Sequence, residues 1–416
     1  PHTTPVVCVD EVFFILFSFI PNVIGVNHMI SDKTRLRIPG PTPIPPRVTR
    51  AMSQAMIGHR SQECSRMVEE LSHRLKPLFG TTEPVMILTS SGTSALEAAV
   101  VNTVQPGDEV IVVVTGAFGD RFANIAERYQ AQVHRLDIPW GQACTAEQLT
   151  TYLKQYPKTK MVFATYCETS TGVLNPIPEL AAAVREHSDA LLAVDGVSAI
   201  GGAPFDMEAW GVDIAVTGSQ KCLMLPAGLA FVAVNQRALE RIHHCPTPRF
   251  YLDLRTYHKN LLDSTTPYTP AISLLFGLQE ALTMLEEEGL EEVFRRHRLM
   301  RDMTLAGLKA LGLPLLADER YASPTVTAVR GIPGASATQI RDIAKKKFQM
   351  TLAGGQKHLK TEIFRIGHMG YCDPLDVLSV LSVLELALYE LNVPVTFGQA
   401  VKAAQEVMTG VSSPGQ

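Results

Sequence analysis

The sequence predicts an α/β protein with a large first domain and a smaller α+β second domain. Short apolar runs alternate with amphipathic segments as far as Val234, which is typical of strands joined by crossover helices. After about residue 272 the pattern changes to long helices followed by a few short strands. With 416 residues, of which 46% are hydrophobic and 19% charged, the chain is long enough to bury one large core or two cores.

The elements of the first domain follow from its apolar periodicity. Residues 47–56 and 65–80 have helical patterns. Seven apolar runs of strand length come next, and they are VMILTS, DEVIVVV, AQVHRLD, KMVFATY, ALLAVD, DIAVTG and GLAFVAV. We therefore expect seven strands linked by helices.

The elements of the second domain are predicted from the segment that follows. Residues 273–311 have the pattern of long helices. After them we expect a strand in PTVTAVRG, a helix in SATQIRDIAKKKF, a strand around IFRIGHMG and a last helix in DVLSVLSVLELALYEL. We assign residues 29–290 to an N-terminal arm and the large domain, and residues 291–416 to the linking helix and the small domain.

The first 28 residues differ from the rest of the chain. The apolar run EVFFILFSFIPNVIGV is interrupted by Pro21 and is shorter than the ~20 residues that a membrane span needs. No Lys or Arg precedes Lys33, so the positive region of a signal peptide is missing. These features favour an extension outside the fold over a weak anchor or an extra packed segment, and we expect no membrane attachment.

Charge and cysteine usage exclude several classes of function. The formal net charge is −4, and the only dense basic cluster is residues 345–347, so we expect small-molecule partners and no nucleic acid. The seven cysteines are scattered, with no CxxC pair, which predicts a reducing, cytoplasmic location. His243, His244 and Cys245 are adjacent and point in different directions, so we expect no metal site.

Polar residues at the ends of the predicted strands are candidates for the site, because ligands of open α/β sheets bind beyond the carboxyl ends of strands. Ser91, Gly92 and Thr93 follow the first run, where a helix begins and free backbone N–H groups suit a phosphate. Asp195 ends the run ALLAVD, and Lys221 follows DIAVTG in an otherwise uncharged segment. A buried acid needs a hydrogen-bonded or cationic partner.

This combination is what pyridoxal 5′-phosphate requires. A lysine amine reacts with the aldehyde of that cofactor, a carboxylate keeps its pyridine nitrogen protonated, and a helix N-terminus accepts its phosphate. The alternative is that Asp195 and Lys221 form a structural ion pair.

Seven segments then carry a resemblance to a known family. LRIPGPTPIPPRV, MIGHRS, SSGTSALEAAV, ETSTGVLNPI, AVDGVSAIGG, TGSQKCLMLPAGLAFVAV and FRIGHMG, in this order, resemble the class V pyridoxal-phosphate aminotransferases, in the alanine–glyoxylate and serine–glyoxylate (serine–pyruvate) branch. The likeness covers residues 29 to about 391. It implies fold type I, with a seven-stranded, mainly parallel sheet in the large domain, and a homodimer whose second subunit completes the active site.

The resemblance also implies roles for individual residues. Lys221 and Asp195 match the catalytic lysine and the partner of the pyridine nitrogen. The phosphate and the ring of the cofactor are then bound by Ser91, Gly92, Thr93, Gln220, Thr169 and Phe118. Arg365 matches the arginine that binds the substrate carboxylate, a task for which a guanidinium fork is suited. Tyr268 and Thr269 match residues that reach the phosphate from the other subunit.

Two positions depart from the animal alanine–glyoxylate enzymes. Thr93 replaces a histidine and Phe118 replaces a tryptophan, which weakens any inference about the amino donor. The implied reaction is a ping-pong transfer of an amino group from alanine or serine to glyoxylate or pyruvate. Two alternatives remain open, namely a lyase of the cysteine desulfurase type and a non-catalytic subunit like relatives labelled as soluble hydrogenase. Gln220 disfavours the lyase, which has histidine before its lysine.

Overall fold

The computed structural model describes residues 34–410. The predicted extension of residues 1–28 lies outside this part of the chain. Within residues 34–410, no helix is long and apolar enough to cross a membrane.

A seven-stranded sheet forms the centre of the large domain. Its strands are β2 (Met86–Leu88), β3 (Glu109–Val114), β4 (Gln132–Asp137), β5 (Met161–Thr165), β8 (Leu191–Asp195), β9 (Ile214–Gly218) and β10 (Ala230–Val234), in the order β2-β10-β9-β8-β5-β3-β4. Only β10 runs antiparallel to its two neighbours, and the other pairs are parallel. The seven predicted strands and the mainly parallel sheet are therefore confirmed.

Helices cover both faces of this sheet, which explains why its strands are apolar throughout. In β3, Ile111 and Val113 belong to one buried cluster, whereas Val110 and Val112 belong to the cluster on the opposite face. The helices between residues 46 and 288 are α1 (Pro46–Met52), α2 (Gln62–Arg74), α3 (Lys76–Phe79), α4 (Gly92–Val101), α5 (Ala117–Arg128), α6 (Ala146–Gln155), α7 (Ile177–His187), α8 (Met207–Trp210), α9 (Gln236–His244), α10 (Leu254–Leu262) and α11 (Ile272–Glu288).

The C-terminal part of the chain has its own sheet and core. The strands β11 (Val326–Arg330), β12 (Met350–Gly354) and β13 (Ile363–Gly367) pack against α12 (Leu290–Ala310) and α13 (Ala337–Phe348). Two further helices, α14 (Pro374–Glu390) and α15 (Gln399–Thr409), pack on these helices and complete the core. The predicted strands around residues 326 and 365 and the two predicted helices are present. Sequence patterns did not indicate β12 or α15. Gly289, with φ +83°, separates α11 from α12 near the proposed domain boundary.

The C-terminal sheet has a fourth strand, which comes from the beginning of the described residues. β1 (Arg35–Arg37) pairs in parallel with β12, in the register Arg35 with Met350. The residues just after β1 then reach the large domain, where the backbone N–H of Thr42 donates to the carbonyl of Gln220 at 3.1 Å. This segment therefore connects the small sheet to the end of β9.

Candidate active site

The sheet and the segment after β1 enclose a cavity of about 230 Å³. Eight of the predicted site residues line it, namely Ser91, Gly92, Thr93, Phe118, Thr169, Asp195, Gln220 and Lys221. They come from the carboxyl ends of β2, β8 and β9, from the first turn of α5, and from the hairpin of β6 (Cys167–Glu168) and β7 (Val173–Leu174). Gly40 and Arg121 also line the cavity, and sequence reasoning missed both.

Two hydrogen bonds hold Lys221 in the cavity wall, one at its backbone carbonyl and one at its side-chain amine. The side chain is buried, and its Nζ donates a hydrogen bond to the carbonyl of Pro39. Burial lowers the pKa of Lys221 to about 8, because the charged ammonium loses hydration. The carbonyl of Lys221 accepts from Thr42 Oγ1 at 3.0 Å. A nucleophilic, partly neutral amine is therefore fixed in position near neutral pH.

Asp195 is a buried carboxylate without a cationic partner. It is 3% exposed, and its one hydrogen bond with the described residues comes from the backbone N–H of Val197, at 2.9 Å from Oδ1. Burial raises the pKa of Asp195 to about 6. No ion pair joins Asp195 to Lys221 or to another cation within residues 34–410, so the structural ion pair is not formed. The second oxygen is available to a donor in the cavity.

The N-terminus of α4 and the amide of Gln220 form a polar corner of the cavity. Ser91 is the N-cap residue, and its side chain does not cap the helix. The Oε1 atom of Gln220 is buried and has no hydrogen-bond partner among the described residues. A Cβ atom placed on Gly218 would lie 3.0 Å from this Oε1 and 3.2 Å from the N atom of Gly92, so the amide lies beside the helix N-terminus. Unpaired helix N–H groups suit a bound oxyanion, whereas the buried Gln220 Oε1 is an acceptor that still lacks a donor within residues 34–410.

A buried glutamate, Glu168, positions the start of α5, where Phe118 lines the cavity. Glu168 is fully buried, and its Oε2 accepts from the N–H groups of Phe118 and Gly119 at 3.1 and 3.0 Å. Its other oxygen accepts from the N–H of Ser170 at 3.1 Å. Burial raises the pKa of Glu168. This carboxylate at the first turn of α5 fixes the backbone that carries the Phe118 ring.

Arg365 lies next to the cavity rather than in its wall. On β13 it is 7% exposed, and it donates from Nε to the carbonyl of Gly354 at 2.8 Å and from Nη1 to the carbonyl of Thr169 at 2.9 Å. Burial lowers the pKa of Arg365 to about 10. Its Nη2 atom makes no hydrogen bond with the residues that the structure describes, so part of the guanidinium fork is free to bind an anion.

Tyr268 and Thr269 do not line the cavity of their own chain. The hydroxyl of Tyr268 donates to the carbonyl of Phe250 at 2.9 Å, and its ring stacks on Tyr251 at a centroid distance of 4.8 Å. Tyr251 in turn donates to the carbonyl of Thr89, just before the α4 N-terminus, at 3.0 Å. Their predicted contact with a phosphate across a dimer interface stays a prediction.

The fold and the site define the class of protein. A seven-stranded, mainly parallel sheet, with a buried lysine and a buried carboxylate at the ends of two of its strands, is the arrangement of the fold type I pyridoxal-phosphate enzymes. The family model of the class V aminotransferases matches residues 36–357, and the chain belongs to that family.

Three similar proteins show how far the likeness extends. A protein named soluble hydrogenase, small subunit, from Synechococcus is 42% identical over 91% of this chain and 100% of its own length. The serine–glyoxylate aminotransferase of Methylorubrum extorquens is 36% identical over 92% of this chain and 96% of its own. The crystal structure of ureidoglycine–glyoxylate aminotransferase from Bacillus subtilis superposes with a TM-score of 0.85 at 33% identity, covering 92% of this chain and 100% of that one. The chain is a transaminase, and the family implies pyridoxal phosphate as cofactor.

Proposed function

We propose that the chain binds pyridoxal 5′-phosphate in the cavity and moves an amino group from alanine or serine to glyoxylate or pyruvate. The observation that carries this proposal is the buried Asp195 carboxylate, which lines the cavity and forms no ion pair with the described residues. A protonated pyridine nitrogen is the partner that this carboxylate lacks. The glyoxylate acceptor is supported by the relatives whose names include it.

The residues present fit this cofactor. The α4 N-terminus, with Ser91, Gly92 and Thr93, would hold its phosphate, and the side-chain NH2 group of Gln220 would donate to the cofactor. Phe118 would cover the ring, and the Thr169 hydroxyl, 2.6 Å from Ser198 Oγ, would bind the ring oxygen. When bound, the cofactor supplies an aldehyde that takes up the amino group and a ring that accepts electrons from the substrate.

In the mechanism, the chain's own residues bind, orient and move protons. Lys221, with a pKa of about 8, would take a proton from the substrate Cα at Nζ when neutral and would give it back as the ammonium. Asp195 would keep the ring nitrogen of the cofactor protonated, using the carboxylate oxygen that makes no hydrogen bond with the described residues. Arg365 binds the α-carboxylate common to donor and acceptor and so orients both in the same way.

The two alternative functions are disfavoured. A desulfurase needs a reactive cysteine at the substrate, but none of the residues that line the cavity is a cysteine. Cys372 lies in another cavity, and burial raises its pKa to about 12, which suppresses its thiolate. The hydrogenase name belongs to two relatives, from Synechococcus and Anabaena cylindrica, whereas the family model and relatives such as the serine–glyoxylate aminotransferase identify an aminotransferase.

We also propose a homodimer. Phe250 is 79% exposed and contacts Tyr268 in an aromatic group beside the α4 N-terminus. A large exposed aromatic surface next to an active site is typical of an interface. The cytoplasmic location stays a prediction.

Half-reaction spectroscopy tests the proposed reaction. The purified chain, loaded with pyridoxal phosphate, is mixed with alanine, serine or aspartate in turn, and the visible absorption band is followed. We expect alanine or serine to convert the cofactor to its amine form, and glyoxylate or pyruvate to restore the band. No conversion by any amino acid would contradict the proposed function.

Exchanging Arg365 for lysine tests carboxylate recognition. The charge is kept but the two-pronged geometry is lost, so we expect kcat/KM to fall for donor and acceptor alike, by about 2–4 kcal/mol of transition-state stabilisation, with cofactor binding unchanged. Arg330→Lys is the matched control, because Arg330 is exposed at the end of the neighbouring β11. Parent rates in Arg365→Lys would show that the carboxylate binds elsewhere.

Gly40→Ala tests how closely the segment after β1 confines Lys221. Gly40 has φ +107°, and a Cβ atom there would lie 2.8 Å from Lys221 Nζ. We expect a loss of ~1–3 kcal/mol of stability from backbone strain and an activity at least about tenfold lower. Gly107→Ala is the control, since Gly107 has φ +86° with nothing within 4 Å. Thermal unfolding measures the backbone strain that both variants share. Turnover measures the contact with Lys221, which only Gly40→Ala disturbs.

A further inference from the structure

Arg121 is a cation in the cavity wall to which the proposed chemistry assigns no role. It is half-buried on α5 and lines both the cofactor cavity and a neighbouring cavity of about 390 Å³. Its Nη1 donates to Thr93 Oγ1 at 3.1 Å, and its Cζ lies 4.7 Å from the centroid of the Phe118 ring. Arg121 therefore connects the α4 N-terminus to the aromatic wall.

Within residues 34–410, Arg121 forms no direct ion pair with a carboxylate, although its charge acts on the buried Asp195 and opposes the rise that burial causes in the pKa of that group. The adjacent Asp120 pairs instead with Arg135, at 2.7 Å, and with Lys357. A guanidinium without an ion-pair partner, beside a helix N-terminus, creates a positive potential on that side of the cavity.

The geometry at Thr93 shows where this charge acts. Thr93 is the second residue of α4, so its hydroxyl holds the guanidinium against the first turn of that helix. Because the Thr93 side chain is short, the guanidinium of Arg121 has room beside it. A ring at position 93 would occupy that space. Arg365, the candidate ligand of the substrate carboxylate, makes its hydrogen bonds elsewhere, to the carbonyls of Gly354 and Thr169. The two arginines thus contact different parts of the site.

We propose that Arg121 is the cation that completes the phosphate cradle, so that the cavity selects a phosphorylated pyridoxal-type cofactor over the unphosphorylated form. This inference rests on the proposed function, because it assigns the phosphate to the α4 N-terminus. A guanidinium attracts a phosphate dianion and has no comparable attraction for a neutral hydroxymethyl group. Arg121 therefore contributes to selection between the two forms as well as to affinity.

The test compares two ligands that bind without a covalent bond to Lys221. Isothermal titration calorimetry on the full chain freed of cofactor measures Kd for pyridoxamine 5′-phosphate and for pyridoxamine. We expect Arg121→Ala to weaken binding of the phosphorylated ligand about tenfold, since half-exposed charge pairs are partly screened. Binding of pyridoxamine is expected to change less than about twofold, and Arg121→Lys to fall between wild type and Arg121→Ala. Arg128→Ala, at the exposed end of the same helix, is the control and is expected to match wild type.

The outcomes separate this proposal from a structural role. Equal weakening of both ligands in Arg121→Ala would mean that Arg121 only supports the Phe118 ring, and unchanged binding of both would mean that it does not act on the cofactor. Either result overturns the proposal while the proposed function stands. Failure of the wild-type chain to bind pyridoxamine 5′-phosphate would instead overturn both.

Discussion

Replacing Lys221 by alanine is expected to lower the rate of transamination by at least about 10³-fold, because the variant loses both the amine that bonds the aldehyde and the group that moves the proton. The fold should be kept, since the change removes a buried amine that lines a cavity and the hydrogen bond from the Thr42 hydroxyl to the residue 221 carbonyl is unaffected. Turnover and the visible cofactor band are measured together with thermal unfolding. Lys309→Ala, exposed near the end of α12, is the control. Turnover in Lys221→Ala comparable to that of the parent would remove Lys221 from the mechanism.

The pH dependence of cofactor capture gives an independent check on the same amine. Burial lowers the pKa of Lys221 from 10.5 to about 8, and only the neutral amine bonds to an aldehyde. In the cofactor-free protein, the rate of capture should therefore rise with pH up to about 8 and level off above it. A rate that continued to rise towards pH 10 would show an ordinary exposed lysine.

Exchanging Asp195 for asparagine is expected to leave cofactor binding measurable but to lower the half-reaction rates by about 10³-fold. The amide can still accept the hydrogen bond from Val197 N–H, so the local backbone is kept. It carries no negative charge to hold a proton on the pyridine nitrogen, which loses most of its capacity to accept electrons. Single-turnover spectra measure both half-reactions. Wild-type rates in Asp195→Asn would reduce Asp195 to a structural residue.

The stability of the cofactor-free protein should respond to pH through the same carboxyl. Burial raises the pKa of Asp195 from 3.8 to about 6, so the carboxyl ionises at lower pH in the unfolded chain than in the folded one. The free-energy cost of burying the ionised Asp195 is absent at pH values below its pKa in the unfolded chain, and it is complete at pH values above its pKa in the folded protein. Between pH 5 and 8, wild type should lose about 1 kcal/mol relative to Asp195→Asn, measured by denaturant unfolding. Equal pH profiles would contradict the raised pKa.

Much of this site could be predicted from the sequence because its residues follow directly from local patterns. β8 and β9 are continuous apolar runs, and the polar residues that end them, Asp195 and Lys221, stand out against that background. Parallel strands bring their carboxyl ends to one edge of a sheet, so their proximity followed from the fold class. Ser91 was identified in the same way from the apolar run before α4.

Other parts of the site could not be predicted, because they depend on contacts between distant segments. Arg121 lies in a segment with no distinguishing local pattern, and Gly40, although it belongs to the family-like segment LRIPGPTPIPPRV, has no polar side chain that would mark it as a site residue. Each lies in the wall beside a residue far away in sequence, which is Thr93 for Arg121 and Lys221 for Gly40. β12 went unnoticed because it is only half-buried, which weakens its apolar pattern.

The sequence by itself determined the α/β class, the seven strands and the identity of the lysine and carboxylate, since strand periodicity and strand-end chemistry are local properties of the chain. Only the tertiary structure decided that β1 joins the C-terminal sheet and that Lys221 lies against Pro39. It also decided that Asp195 forms no ion pair with the described residues. Pairing, burial and electrostatic environment arise from segments far apart in sequence, and the low polarity that shifts the pKa values of Lys221 and Asp195 exists only once those segments have packed together.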